Sequence, residues 1–268
     1  RLFSAVEAGY TLVYLNHANV LFAETAVRQA LYSAVDRQGL VHNPTLVNGQ
    51  GRVASSPIAP GSWAHDPTLP QPSFDLELAA ATLDAAGWTD SDGDGVRDGE
   101  GKRFGFGLGA LDDPASLAVA ERIAEDWGAI GAEVAVEPHN QQGIVHALSN
   151  RDYDAMLFSW QLRGYEPDPF PLWHSTQAED GQNFGAYGNP EMDEILEALR
   201  RTNPDDEAAR VELFQRFQRL FVEDVPALLL YHPVYTYAVA DPNLGGVQLP
   251  QLIVDPTDRF TTLTDWFL

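Results

Sequence analysis

The sequence predicts an α/β protein in which helices pack on a mixed, mainly parallel sheet. Three observations carry that expectation. Residues 104–160 read strand, helix, strand, helix, strand, an order that implies parallel pairing through right-handed crossovers. Apolar stripes at helical spacing recur before and after that block, and Ala227 to Ala240 is a long apolar run of strand character.

In chain order, Thr11 to Asn16 reads as a strand. Glu24 to Gln38 then places Ala26, Val27, Ala30, Leu31, Ala34 and Val35 on one helical face. Residues 41–73 hold six prolines with scattered Gly and Ser, so a long irregular connection is expected there. Asp75 to Ala86 is a helix that buries Leu76, Ala79, Ala80 and Leu83 and stops at Gly87, a residue suited to a left-handed C-terminal cap. Phe104 to Leu108 alternates as a strand, and Asp113-Pro114 caps a helix carrying Leu117, Ile123, Ala124 and Trp127. Glu133 to Glu137 is a strand, Gln141 to Ser149 a helix, and Tyr153 to Trp160 a strand. Two more stripes follow, Met192-Ile195-Leu196-Leu199 and Val211-Phe214-Phe217-Leu220-Phe221, and both read as core helices.

With 39 acidic against 16 basic residues, the net charge of −23 repels phosphate backbones and anionic membrane surfaces, which makes nucleic acid a poor candidate partner. The chain has no cysteine, which excludes disulfides, thiolate metal sites and a cysteine nucleophile. No apolar run approaches the roughly 20 residues that span a bilayer. The start at Arg1-Leu2-Phe3, without Met or a signal-like segment, suggests a processed product or a fragment.

The candidate site is the stretch from Ser159 to Pro190. Pro167, Pro169 and Pro171 at every second position bar both helix and central strand, so the segment is a loop. It carries Trp160, Tyr165, Phe170, Trp173, Phe184 and Tyr187, interleaved with Gln161, Arg163, Glu166, Asp168, His174 and Asn183. Rings on a loop either close over a core or line a concave binding surface, with the polar groups orienting a ligand. The loop leaves the carboxyl end of the third strand of the βαβαβ block, where open α/β sheets bind ligands. Expected ligand contacts are Trp160, Gln161, Arg163, Tyr165, Glu166, Asp168, Asn183 and Tyr187.

Glu166 and Asp168 suggest the paired carboxylates of a glycosidase, but two groups so close on one extended segment cannot flank a single bond. The Gly-x-Ser-x-Gly elbow, Gly-Lys phosphate loop and His-Glu-x-x-His helix are all missing from the sequence. The seven histidines lack metal-type spacing. Asp90, Asp92, Asp94 and Gly95 match the opening of a calcium loop, with Asp98 at its ninth position, yet Gly101 replaces the closing Glu. A structural calcium is therefore a candidate on incomplete ligands, and no other cofactor is expected. A secreted carbohydrate-active enzyme or accessory module is the alternative function.

Several ordered blocks resemble one family. Tyr14-Leu15-Asn16 is followed by Val27-Arg28-Gln29-Ala30-Leu31 and Ala34-Val35-Asp36-Arg37, and Leu83-Asp84-Ala85-Ala86-Gly87-Trp88 leads into Asp92-Gly93-Asp94-Gly95. Tyr153-Asp154-Ala155 runs to Trp160, Pro167-Asp168-Pro169 precedes Trp173-His174-Ser175, and Tyr187-Gly188-Asn189-Pro190 precedes Asp193. Together they resemble the family-five extracellular solute-binding proteins, which deliver peptides, nickel or oligosaccharides to ABC transporters.

That resemblance implies a periplasmic-binding-protein-like lobe of the class II, cluster C type. Residues 1–16 would form an inter-lobe hinge strand, 17–228 the second ligand-binding lobe, and 229–268 a return strand and C-terminal segment belonging with the first lobe. Leu15, Asn16, Tyr231 and His232 would be hinge residues. It further implies a small-molecule or peptide ligand, ABC permease subunits as partners, an extracytoplasmic location, and membrane attachment only through a lipid anchor upstream. In peptide-binding members an aspartate three residues beyond the tryptophan holds the ligand's amino group. Here that position is Arg163, which is incompatible with the same role.

Overall fold

A computed structural model describes residues 1–47, 49–70 and 72–267 of the chain. Its ten strands are β1 (Leu2–Glu7), β2 (Gly9–Leu15), β3 (Gly51–Val53), β4 (Asp98–Gly99), β5 (Lys102–Arg103), β6 (Gly105–Leu111), β7 (Glu133–His139), β8 (Ala155–Gln161), β9 (Ala227–Ala238) and β10 (Leu252–Ile253). The α-helices are α1 (Thr25–Ser33), α2 (Arg37–His42), α3 (Leu76–Ala85), α4 (Pro114–Gly128), α5 (Gln141–Asn150), α6 (Phe170–Trp173), α7 (Pro190–Arg201) and α8 (Glu207–Asp224).

The sheet runs β10-β1-β9-β2-β8-β6-β7, with β3 also paired to β9. β7, β6 and β8 are parallel, as the strand–helix alternation requires, and β1–β10 is parallel as well. β2 joins antiparallel to both β8 and β9, and β9 joins antiparallel to β1 and β3. These antiparallel joints connect strands more than a hundred residues apart, so no local alternation announces them.

Side chains alternate across this sheet and build two cores. Val13, Leu15, Leu108, Ala155, Leu157, Leu228 and Leu230 face one core with α1, α3 and α4. Tyr10, Leu12, Tyr14, Met156 and Leu229 face the other, with α5, α7 and α8. The chain leaves β6 through α4 to β7 on one side and returns through α5 to β8 on the other. Right-handed crossovers in opposite directions put the two helices on opposite faces. The carboxyl end of β6 is therefore a switch point.

The helix ends follow the local sequence. The Asp113 carboxylate accepts the backbone N–H groups of Ala115 and Ser116 ahead of Pro114, and Asp75 accepts that of Leu78. Gly87, past the end of α3, adopts φ +87°, as a left-handed cap demands. The single helix expected over 24–38 is instead two. Asp36 ends the first by accepting the N–H of Gly39 and capping α2.

β9 is long enough to belong to two sheet segments. Its first half pairs with β2 and its second half with β1, and the change falls where β1 gives way to β2 at Ala8. A register shift between Thr11 and Leu12 bends the ladder there. Leu15 and Asn16, expected at the hinge, lie at the opposite end of β2. Leu15 is core, and the Asn16 amide donates to the carbonyls of Arg151 and Tyr153. The sheet changes segment near Gly9, so Tyr231 and His232 stand at the crossing and Leu15 and Asn16 do not.

Candidate functional site

The switch point opens into a crevice of about 500 Å³. Leu111 comes from the end of β6, Ser116 from the first turn of α4, Gln141 from the start of α5, Ser159 from β8, Thr11 from β2 and Tyr231 from β9. Thr11 and Ser159 share a hydrogen bond of 2.9 Å between hydroxyls at its base, amid Val119, Val145 and Leu157. Apolar walls with a few oriented polar groups are the composition of a small-ligand site. Thr11, Ser116 and Gln141 escaped the sequence reading, and Ser159 stood only at the start of the candidate stretch, because six elements contribute one to three residues each. The switch-point rule, applied to the first residues after β6 and β7, would have reached Ser116 and Gln141.

A second cavity, of about 170 Å³, lies on the other face of the β2–β8 pair, beneath residues 162–169. Tyr10, Ile58, Leu172, Trp173 and Leu252 wall it. The Trp173 indole N–H and the Tyr10 hydroxyl are both buried and make no hydrogen bond. Burial pushes the Tyr10 hydroxyl well above its ordinary range.

Loop 162–169 forms the rim and is pinned at several points. The Leu162 N–H donates to the Ala8 carbonyl at 2.9 Å, tying the loop to the sheet crossing. Tyr165 donates its hydroxyl to Asp258 of the C-terminal segment, and that carboxylate holds the phenol above its usual range. Glu166 meets Arg210 of α8 at 2.6 Å, and Asp168 meets Arg200 of α7 at 2.5 Å. Both carboxylates are thus engaged by separate arginines, and the glycosidase pairing is not assembled.

The loop's rings divide between packing and surface. Trp173 and Tyr187 are core residues, at 1% and 2% exposure, and of the two Tyr187 was expected to contact ligand. Tyr187 donates its hydroxyl to Asp224 at 2.6 Å. Asn183 is fully buried, donating to the carbonyls of His174 and Tyr187 and accepting the Tyr187 N–H. Asn183 and Tyr187 therefore staple the loop instead of facing a ligand, a role set by backbone carbonyls that no spacing rule reveals. Trp160 is half-buried, donates to the Tyr14 hydroxyl at 2.7 Å and stacks on Phe184 at 5.9 Å. Gln161, Arg163 and Tyr165 remain exposed, the last two at the mouth of the smaller cavity. His174 is buried beside Asp193 and caps the following turn by accepting the Thr176 N–H.

Three of the four expected calcium ligands come together. Oxygen atoms of Asp90, Asp92 and Asp94 lie within 4.8 Å of one another, and Asp98 is outside the group. The donor set is already in use: Asp90 accepts the N–H groups of Gly93 and Gly95, Asp92 accepts that of Asp94, and Arg103 occupies Asp94 at 2.6 Å. Those residues fit a self-closed acidic turn better than a full calcium shell.

A crevice at the switch point of an α/β sheet, a rim loop carrying exposed polar groups and a sheet that continues past a bend define a ligand-binding module. The chain belongs to the bacterial extracellular solute-binding proteins, family 5, whose middle-region model matches residues 3–182. It is 32% identical over 242 residues to the Oligopeptide-binding protein AppA of Bacillus subtilis (strain 168), an alignment covering 88% of this chain and 44% of that protein. It is 26% identical over 230 residues to Di/tripeptide-binding protein 1 of Pseudomonas aeruginosa (strain UCBPP-PA14), covering 84% and 41%. The structure of AppA from Bacillus subtilis in complex with a nonapeptide matches with a TM-score of 0.83 at 28% identity, over 100% of this chain and 52% of that one. The chain thus spans less than half the length of these curated relatives. Among the described residues, no helix is long and apolar enough to cross a membrane.

Proposed function

We propose that this chain supplies one wall of the ligand cleft in a peptide-binding receptor that serves an ABC importer on the extracytoplasmic face of the membrane. The observation that carries the reading is the switch-point crevice lined by Thr11, Gln141 and Ser159, in a chain whose relatives are named for binding oligopeptides and di/tripeptides. Ligand would be held against this wall by a second lobe outside the present sequence. Closure would turn on the crossing at Ala8–Gly9 and Tyr231–His232, where β9 passes from one sheet segment to the other. The exposed Leu2, Leu263 and Phe267 suit contact with further protein. Partners on this reading are the permease subunits, with any lipid anchor lying upstream.

Calorimetry on the full-length protein with peptide and oligosaccharide panels tests it. Saturable peptide binding that weakens at least tenfold in Gln141→Ala or Ser159→Leu supports the reading. The isolated 268-residue chain, holding half the contacts, is expected to bind far more weakly. Tight binding by the isolated chain, or binding of sugars in place of peptides, would sink it.

A further inference from the structure

Resting on the peptide-receptor reading, we infer that the switch-point crevice is an uncharged subsite that seats one aliphatic or aromatic side chain of the peptide and refuses an acidic one.

Charged residues make up 21% of the chain, yet among the described residues none lines this crevice. Leu46, Leu111, Val119, Ile144 and Leu157 supply apolar wall, and the polar groups between them are hydroxyls and the single amide of Gln141. A charged side chain entering here gives up its water and finds no counter-charge. An apolar one sheds only unfavourable hydration. The crevice volume of about 500 Å³ lies within the ~300–1,000 Å³ of small-ligand sites, which leaves room for a leucine or an aromatic ring.

Hydrogen bonds within the wall turn the crevice further against anions. The start of a helix such as α4 ordinarily attracts a carboxylate through its unsatisfied N–H groups. Here Pro114 has no N–H, and those of Ala115 and Ser116 both donate to Asp113 at 3.0 Å. The Ser116 hydroxyl also donates to Asp113, at 2.7 Å, so it turns its lone pairs to the crevice. The bonds from Ser116, and then that from Ala115, hold the Asp113 carboxyl below its ordinary range, so a negative charge stands directly behind Ser116 at neutral pH. A ligand carboxylate therefore meets a fixed anion where the helix donors would otherwise be. A peptide N–H beside an apolar side chain meets an acceptor instead.

Calorimetry on the full-length protein with pentapeptides Ala-Ala-X-Ala-Ala, free at both ends and differing only at X, reads the preference. Leucine and phenylalanine at X are expected to bind at least about tenfold more tightly than glutamate, with glutamine, neutral and close to glutamate in shape, in between. Val145 lines the crevice and is 56% exposed, so Val145→Lys sets a cation in the wall without disturbing the core. That variant should bring the glutamate peptide to within about threefold of the leucine peptide. Leu78→Lys on α3, at a position 55% exposed and outside the lining, makes the same change in net charge and should keep the wild-type ranking. Glutamate bound as tightly as glutamine by the wild type, a ranking unmoved by Val145→Lys, or an equal rescue by Leu78→Lys overturns the inference and leaves the peptide reading standing. If no pentapeptide of the set binds, the peptide reading itself falls and the subsite with it.

Discussion

His232 donates from Nδ1 to the carbonyl oxygen of Gly9 at 2.8 Å, joining residues 223 apart at the point where β1 gives way to β2. The imidazole is 1% exposed, and burial pushes its pKa down to about 4, against a smaller upward pull from the Gly9 carbonyl. His17, bonded at 3.0 Å to the Pro226 carbonyl, is also pushed down to about 4, by burial first and by the Arg28 charge second.

Both histidines stay neutral in the folded chain at pH values where the unfolded chain protonates them. Each contributes stability that is complete above about pH 6.5 and is lost as pH falls through about 4. Urea unfolding of wild type and His232→Gln at pH 7.5 and about 4.5 reads the effect. The wild type is expected to lose about 2 kcal/mol more than the variant over that interval. Equal losses would contradict a buried neutral His232.

Gly9 itself admits no side chain. A Cβ there would stand 2.3 Å from the carbonyl oxygen of Trp160, a backbone atom that cannot yield without opening the β2–β8 ladder. Gly9→Ala is expected to cost about 1–3 kcal/mol and to perturb tryptophan fluorescence from Trp160. An unchanged melting curve and spectrum would place the sheet crossing elsewhere.

Asp224 is the hub that holds the far end of the site loop. It accepts from Thr25, Arg28, Tyr187 and Asn189, and the Arg28 pair is 3.1 Å long with Arg28 at 3% exposure. Burial alone would raise its carboxyl, but the hydrogen bonds from Tyr187, Asn189 and Thr25 and the Arg28 charge outweigh it and hold the pKa below 3.8. Its contribution is therefore present above about pH 3.8 and fades as pH falls through the lowered value, a window below that of the histidines. Asp224→Ala should cost about 3–5 kcal/mol in chemical denaturation, since it strands the Arg28 charge. A cost under about 1 kcal/mol would show that solvent already screens the hub.

The acidic turn offers a metal test. Because its carboxylates are occupied by backbone N–H groups and by Arg103, millimolar calcium is expected to move the melting temperature by less than about 1 °C. A rise of several degrees that disappears in Asp92→Ala would instead assign a structural calcium to the turn.

Much of the fold was legible because its signals are local. Asp113-Pro114, Asp75 and Gly87 start or stop helices through hydrogen bonds spanning a few residues, and the apolar stripes of α5, α7 and α8 mark the faces that the second core buries. The βαβαβ order likewise carried parallel pairing and, with it, the end of the sheet where the crevice opens. The site was only partly legible. Arg163 and Tyr165 stand exposed on the rim and Gln161 is exposed at the end of β8, but Asn183 and Tyr187 turned inward and Glu166 and Asp168 turned to arginines on α8 and α7.

The sequence by itself determined the class of fold, the helix ends set by Asp75, Asp113 and Gly87, and a proline-rich segment after β8, though not the break at Asp36 or the short helix α6 that Pro171 enters in its first turn. Tertiary structure alone decided that β2 lies antiparallel between β8 and β9, that the bend falls at Gly9 and His232, and which loop residues face solvent. The reason is the range of the forces involved. Periodicity and caps act over one or two turns, whereas strand pairing and the choice of partner for a buried amide or a surface carboxylate depend on groups brought close only by the finished core.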